Sequence, residues 1–313
     1  MRSENVLSLL GALMHVTIED FVRHLDDERG LSANTLAAYR SDLTQFENFL
    51  KTSGHAGWGI SPRVVRAFMT DLIQREYRQT SQARKLAAVR ALYRYLKSID
   101  EVTTDPTAGL GGARVAKRRP KIISTSDVEC LLENAADATT PERMRDRAML
   151  EALYAAGMRV SELVALDVGD FDVEAQTLVL ARDGPRKRSV PLTNRAAKAL
   201  HVYVSDGRVK SLRRVDEPAV FLNHRGNRLT RQGFWLIVKA YARRAGIEAT
   251  ITPHTLRHSF ATHQLQGAGT VREVQAILGH ASLATTRVYE ELARESRERS
   301  GRGSGRSGAR RSS

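Results

Sequence analysis

The sequence predicts a mainly α-helical protein of two domains, with a small β hairpin confined to the second. Three observations carry this. Between Thr17 and Ser98, apolar residues recur at spacings of three and four with no strand-like alternation. A Gly-rich basic run, 109–120, then interrupts the pattern. Beyond it, helix caps and helix-ending glycines dominate, and Gln176–Ala181 and Lys187–Leu192 alternate around Asp183-Gly184-Pro185 as a hairpin would.

In the first domain, expected over 15–108, Thr17 caps a helix with Phe21, Val22 and Leu25 on one face. Leu36, Tyr39, Leu43, Phe46 and Leu50 form the seam of a second helix. Ser61-Pro62 opens a third, with Val65, Phe68, Met69 and Leu72 inward. Ser81–Ser98 makes the fourth, burying Leu86, Val89, Tyr93 and Leu96. Four short amphipathic helices build a small bundle. Residues 1–14 read as an N-terminal extension. Its apolar run Val6–Met14 is too short to span a bilayer, and no small-residue cleavage site follows it.

The second domain is expected over 121–295. Ser126 with Glu129 spells a capping box, a longer helix follows Pro141, and Gly157 suits the left-handed position that ends it. Arg159 comes next, on the turn before a helix start at Ser161; Leu163–Phe171 reads as strand-like. Helices are expected over Asn194–Ser205 and Thr230–Ala245, with a short strand and turn over Val220–Gly226 between them. Thr252-Pro253 opens another helix, Thr270 with Glu273 caps the next, and Gly279 ends it. Ser282 begins a last helix with Tyr289 about two turns along. Residues 296–313, rich in Ser, Gly and Arg, cannot build a core and are expected to be disordered.

The chain has 313 residues, enough for two cores, and 42% of them are hydrophobic, ordinary for a globular protein. Its net charge of +14 is not ordinary and implies a polyanionic partner, nucleic acid in preference to a membrane surface. Basic residues cluster on the fourth helix (Arg84, Lys85, Arg90, Arg94, Lys97), on or after the third (Arg63, Arg66, Arg75, Arg78), and in the linker (Lys117, Arg118, Arg119). They read as a DNA-backbone surface, where phosphate contacts position a protein and make binding salt-sensitive. The single cysteine, Cys130, rules out an internal disulfide and fits a reducing compartment. His201 and His224 lack partners at metal-ligand spacing, and no Cys or carboxylate completes a zinc site around His254 and His258.

Ile251–Glu290 concentrates groups suited to a phosphodiester. His254 and Arg257 share one face at a helix N-terminus, which favours an anion through its free N–H groups and dipole. His280 follows on a turn, and Tyr289 supplies a phenol. The set His254-x-x-Arg257, Leu278-Gly279-His280 and Tyr289, with Gly157-Met158-Arg159-Val160-Ser161-Glu162-Leu163 upstream, resembles the tyrosine recombinase (phage integrase) family, particularly its Xer branch.

The resemblance implies a helical core-binding domain and a catalytic domain that close around double-stranded DNA, with tetramers of one or two kinds of protomer acting on two sites. It implies cutting and rejoining through a 3′-phosphotyrosyl intermediate, in chromosome dimer resolution or mobile-element integration, in the cytoplasm on the nucleoid. Arg159 and Arg257 would bind the nonbridging oxygens, where one lost donor costs about 10²–10³ in rate. Tyr289 would attack, His254 would act as base and His280 would bond the phosphate. No cofactor is implied, neither metal nor ATP. One departure stands out: the family carries a catalytic lysine in the hairpin turn, and here Asp183 occupies that position, with Arg182 and Lys187 as the nearby contacts to the leaving oxygen. Two alternatives stay open: a catalytically impaired DNA-binding member of this fold, and a type IB-like topoisomerase.

Overall fold

The structure, a computed structural model, describes residues 2–111, 119–181, 187–249, 251–280 and 282–304. The chain divides into two compact units, Met1–Arg118 and Arg119–Ser313.

The first unit is a bundle of α1 (Arg2–Arg29), α2 (Ala33–Thr52), α3 (Pro62–Gln74) and α4 (Gln79–Ser98). Its core holds Phe21 and Leu25 from α1, Leu43 and Phe46 from α2, Phe68 from α3 and Tyr93 from α4. These are among the residues the periodicity placed inward. The first helix begins well before Thr17, because Met14 and Ile18 continue the seam of Phe21 and Leu25 at helical spacing and are buried in the same core. Residues 2–14 are therefore part of α1 rather than a separate extension. Buried Asp42 on α2 accepts a 2.8 Å bond from Lys85 Nζ and also pairs with Arg84. Lys85 is only 5% exposed.

The second unit opens with α5 (Thr125–Glu133), α6 (Pro141–Ala156) and α7 (Val160–Ala165). The cap of α5 is Ser124, two residues before the expected Ser126. Ser124 Oγ accepts from Asp127 N at 3.1 Å while Asp127 accepts from Ser124 N, closing the reciprocal box first. Leu163–Phe171 is not a strand. Glu162 folds back to accept from Arg159 N at 2.7 Å, which caps α7 and winds Val160–Ala165 into a helix. A short 3₁₀ turn over Val168–Asp170 then leads to β1 (Phe171–Asp172). β2 (Thr177–Leu180) and β3 (Arg188–Pro191) complete an antiparallel sheet in the order β1-β2-β3, with Leu178 opposite Val190 and both buried. The expected hairpin is thus present, although its turn, 182–186, lies outside the described residues.

α8 (Asn194–Val202), a π turn over Tyr203–Gly207 and α9 (Arg208–Ser211) follow, then α10 (Arg231–Arg244). Three helices carry the site: α11 (Pro253–Gln266), α12 (Val271–Leu278) and α13 (Leu283–Ser304). They share a small core of Phe260, Leu265, Val274, Leu278, Tyr289 and Ala293. The helix after Tyr289 is longer than its composition suggested. Tyr289 and Ala293 extend a buried stripe, Arg297 donates to Leu265 O of α11, and Glu295 accepts from Arg119 at 2.9 Å. Helix α13 therefore runs through 296–304, where disorder was expected; 305–313 lie outside the described residues. Among the described residues, no helix is long and apolar enough to cross a membrane.

Candidate active site

The site is assembled on α11, and the first turn of that helix is fixed by its own sequence. Thr252 Oγ1 accepts from Thr255 N at 3.1 Å, and Pro253 occupies the first helical position. The middle of the helix is tied to the start of the unit: Ile123 N donates to Ser259 Oγ at 2.9 Å, and His263 Nε2 donates to Ile123 O at 3.1 Å. This leaves His254 exposed in the first turn, Arg257 buried at 4% exposure, and His258 half-buried one turn beyond His254.

Arg257 is the hub. Its Nη1 donates to Gly157 O at 2.6 Å and its Nη2 to Leu278 O at 2.7 Å. Two helix ends, those of α6 and α12, thus offer their free carbonyls to one guanidinium. Close approach at Gly157 demands glycine. Its φ is +53°, and a Cβ there would lie 2.2 Å from Phe260 Cδ1. Nη2 of Arg257 is also 3.2 Å from His280 Nε2. A guanidinium only donates, so His280 Nε2 accepts, and Nδ1 carries the proton that bonds Thr286 Oγ1 at 3.0 Å.

Tyr289 reaches this cluster from α13. It is 4% exposed, and its hydroxyl shares a 2.7 Å hydrogen bond with His258 Nδ1. The phenol ring lies 5.5 Å from the His258 ring and 6.2 Å from that of His280, centroid to centroid. Arg159 stands at the N-cap of α7 with its side chain 30% exposed, and Nη1 donates to Glu162 Oε1 at 3.1 Å.

Electrostatics follow from burial under several cations. Desolvation, then His254 and Arg257, hold His258 down at about 4, and desolvation with Arg257 and Arg159 does the same to His280. Both rings are neutral near pH 7. Burial and the nearby Arg159 bring Arg257 down to about 10, so it stays charged. Burial pushes the Tyr289 phenol upward, and the guanidiniums of Arg257 and Arg159 partly oppose this. An anion bound between Arg159 and Arg257 would relieve the mutual repulsion of the cations and favour the phenolate.

The structure brings Arg257, His280 and Tyr289 together, with Arg159 at the α6–α7 turn against the same hub and His254 one turn before His258. It is His258, not His254, that bonds the phenol, because residue 258 is a turn deeper on the same face. Only its i,i+4 relation to His254 hints at this in the sequence. Arg182 and Asp183 lie outside the described residues, and Lys187 is exposed beside β3. Among the basic residues of the first unit, Arg94 and Lys97 are exposed, whereas Lys85 is buried on Asp42 and Arg90 donates to Leu110 O. Lys117 and Arg118 lie outside the described residues, and Arg119 pairs with Glu295. Among the described residues, no group of three or more His, Cys, Asp or Glu is placed to hold a metal ion.

Both the N-terminal bundle and the second unit match known protein families. Residues 121–296 match the phage integrase family, and residues 18–99 match the phage integrase N-terminal SAM-like domain. The chain is 45% identical over 283 residues to tyrosine recombinase XerC of Herpetosiphon aurantiacus, covering 90% of this chain and 92% of the relative. It is 40% identical to tyrosine recombinase XerD of Listeria monocytogenes, covering 89% and 95%. In fold it is similar to the XerH site-specific recombinase bound to palindromic difH substrate, with a TM-score of 0.73, 20% identity and 95% coverage of each chain. It is also similar to the lambda integrase tetramer bound to a Holliday junction, with a TM-score of 0.66, 16% identity, and 88% and 76% coverage. Two matched family domains and near-full-length relatives make the chain a member of the phage integrase family, a tyrosine recombinase of the Xer type.

Proposed function

We propose that this recombinase cuts and rejoins double-stranded DNA at a specific site through Tyr289. The observation that carries this is the buried Tyr289 hydroxyl, 2.7 Å from a neutral imidazole nitrogen, beside the Arg257 hub. Arg159 and Arg257 bind the nonbridging oxygens of the scissile phosphate and stabilise the added charge of the pentavalent transition state. The phenolic oxygen forms a bond to phosphorus, its proton passes to His258 Nδ1, and the bond to the 5′ oxygen breaks. That oxygen takes its proton from Lys187 at the hairpin, with Arg182 donating a hydrogen bond to it, and the two stand in for the lysine that Asp183 replaces. His254, exposed at the helix start, and His280 contact the phosphate. The reverse attack, by the 5′-hydroxyl of another strand, rejoins the DNA without an outside energy source because the phosphotyrosine keeps the bond energy.

Support for the substrate comes from charge and exposure: +14 net, with Arg63, Arg66, Arg94 and Lys97 exposed on α3 and α4. The XerH and lambda integrase structures hold DNA, the latter as a tetramer. We carry that assembly to this chain, four protomers on two sites, acting in the cytoplasm on chromosomal DNA, with dimer resolution as the role its XerC and XerD relatives suggest.

A pool of nicked duplexes cut from genomic DNA tests the chemistry, since a nick lets the cleaved strand diffuse away and traps the intermediate. Wild type should yield a protein–DNA adduct that survives denaturant, and Tyr289→Phe none. Absence of an adduct with wild type, or an equal yield from the variant, would overturn the proposal. Sequencing the trapped DNA gives the site.

A further inference from the structure

Arg188 on β3 commits its Nε and both Nη atoms to partners inside the unit. Its Nη1 donates to Glu162 Oε1 at 2.9 Å and its Nη2 to Glu162 Oε2 at 3.1 Å, a two-pronged pair. Its Nε donates to Ile277 O, in the last turn of α12, at 2.7 Å. The side chain is only 11% exposed. Each partner leads to a different part of the site. Glu162 accepts from both the backbone N and Nη1 of Arg159. Ile277 precedes Leu278, whose carbonyl accepts from Arg257, and Gly279, which sets the turn to His280. Gly279 lies so close under Arg188 that a Cβ on it would be 3.0 Å from Nη1.

We propose that Arg188 is a positioning residue for strand cleavage: it fixes the spacing between Arg159 and the Arg257–His280 pair. It does not touch the phosphate, because the fork is committed to Glu162 and Nε to Ile277. What it contributes is register. Glu162 lies buried under Arg159 and Arg188; desolvation alone would raise its carboxyl, but these two partners hold it below the usual carboxylate range. Removing Arg188 leaves Glu162 to Arg159 alone, pulling that guanidinium onto the carboxylate and away from an incoming oxygen. It also frees the last turn of α12, and with it the carbonyl that orients Arg257. The hairpin that bears Lys187 is thereby braced on the same two groups, so leaving-group and phosphate contacts are set by one side chain.

This rests on the phosphotyrosine chemistry proposed above, and the test separates the two. Arg188→Lys keeps the charge and loses the fork. On a nicked duplex carrying the trapped site, we expect the adduct to form about 10²-fold more slowly, with DNA affinity within twofold of wild type. The discriminating measurement is the double variant. If Arg188 acts in part by placing Arg159, then Arg159→Ala with Arg188→Lys should lose clearly less than the product of the two single losses. Multiplying losses would mean independent roles and would overturn the inference, as would an unchanged rate in Arg188→Lys. If that variant melts below the assay temperature, Glu162→Gln, which keeps the shape and weakens the fork, carries the same cycle. Wild type forming a Tyr289 adduct while both cycles are additive sinks this inference alone. Wild type forming no adduct removes the chemistry and this inference with it.

Discussion

The phenol and the imidazole that meet at Tyr289 and His258 are each poised the wrong way at rest. Burial raises the first above the ordinary phenol range and lowers the second to about 4, so the proton stays on oxygen until a phosphate arrives. On the proposed chemistry, a bound phosphate would stabilise a protonated His258, while Arg159 and Arg257 would stabilise the oxyanion. The Tyr289 phenol would then be activated by its own substrate, which would limit idle reactivity. His258→Ala should then slow adduct formation by about 10²–10⁴-fold, the usual worth of a positioned base, with DNA affinity little changed. Rates measured by single-turnover trapping, next to those of His254→Ala, check this; a larger loss for His254→Ala would return the base to the first turn. Sequence alone could not choose between the two rings, since the choice depends on α13 folding back across α11 from 31 residues away. Lys85 was misjudged as a DNA contact for the same reason. Its partner, Asp42, comes from another helix, and only packing shows that the ammonium is spent there.

Elements were legible at most of the ends that are written locally, the Ser124 cap of α5 excepted. Thr252-Pro253, Thr270 with Glu273, and the left-handed glycines Gly157 and Gly279 fall where the sequence put them, because caps and positive φ angles depend on a few neighbouring residues. Two kinds of boundary were not. The start of α1 and the length of α13 are set by tertiary anchors, the buried Met14 and the Arg297 contact with Leu265, rather than by local breakers. Leu163–Phe171 reads like a strand, yet Glu162 accepts from Arg159 N and caps Val160–Ala165 as a helix, while Arg188 holds the same carboxylate. Caps that position a catalytic helix have consequences beyond their own turn. Thr252→Ala removes the acceptor for Thr255 N and should cost about 1 kcal/mol. In a domain of this size that lowers the melting temperature by about 2–4 °C. Because the freed turn bears His254 and precedes Arg257, strand cleavage should fall while DNA affinity holds. A calorimetric melt and a trapping assay together decide it; loss of stability with full cleavage would show that the cap serves folding alone.

At the level of the whole molecule, the catalytic unit buries histidines that desolvation holds neutral near pH 7. His258 and His280 sit at about 4 against an ordinary imidazole value of 6.5, and burial lowers His263 as well. A folded value below the unfolded one means that, between about pH 6.5 and 4, the unfolded chain binds protons the folded one refuses. Stability is therefore complete above pH 6.5 and declines as the pH falls through that window. Both rings are partly solvated, so screening reduces the effect to roughly 1 kcal/mol each by pH 5. Asp146 and Glu151, raised by burial, oppose the trend because the folded state takes up their protons first. Net stability alone would mix these contributions. The clean measurement is a comparison: urea unfolding of wild type, His258→Gln and His280→Gln at pH 7.5 and 5. Each variant replaces an imidazole with a neutral amide, so its stability should fall less than that of wild type over the same interval. A wild type as stable at pH 5 as at 7.5, with variants that show the same slope, would mean that the two rings are solvated in the free protein. The substrate-gated activation of Tyr289 would then lose its physical basis, since an accessible His258 near its ordinary value would already compete for the phenolic proton before any phosphate was bound.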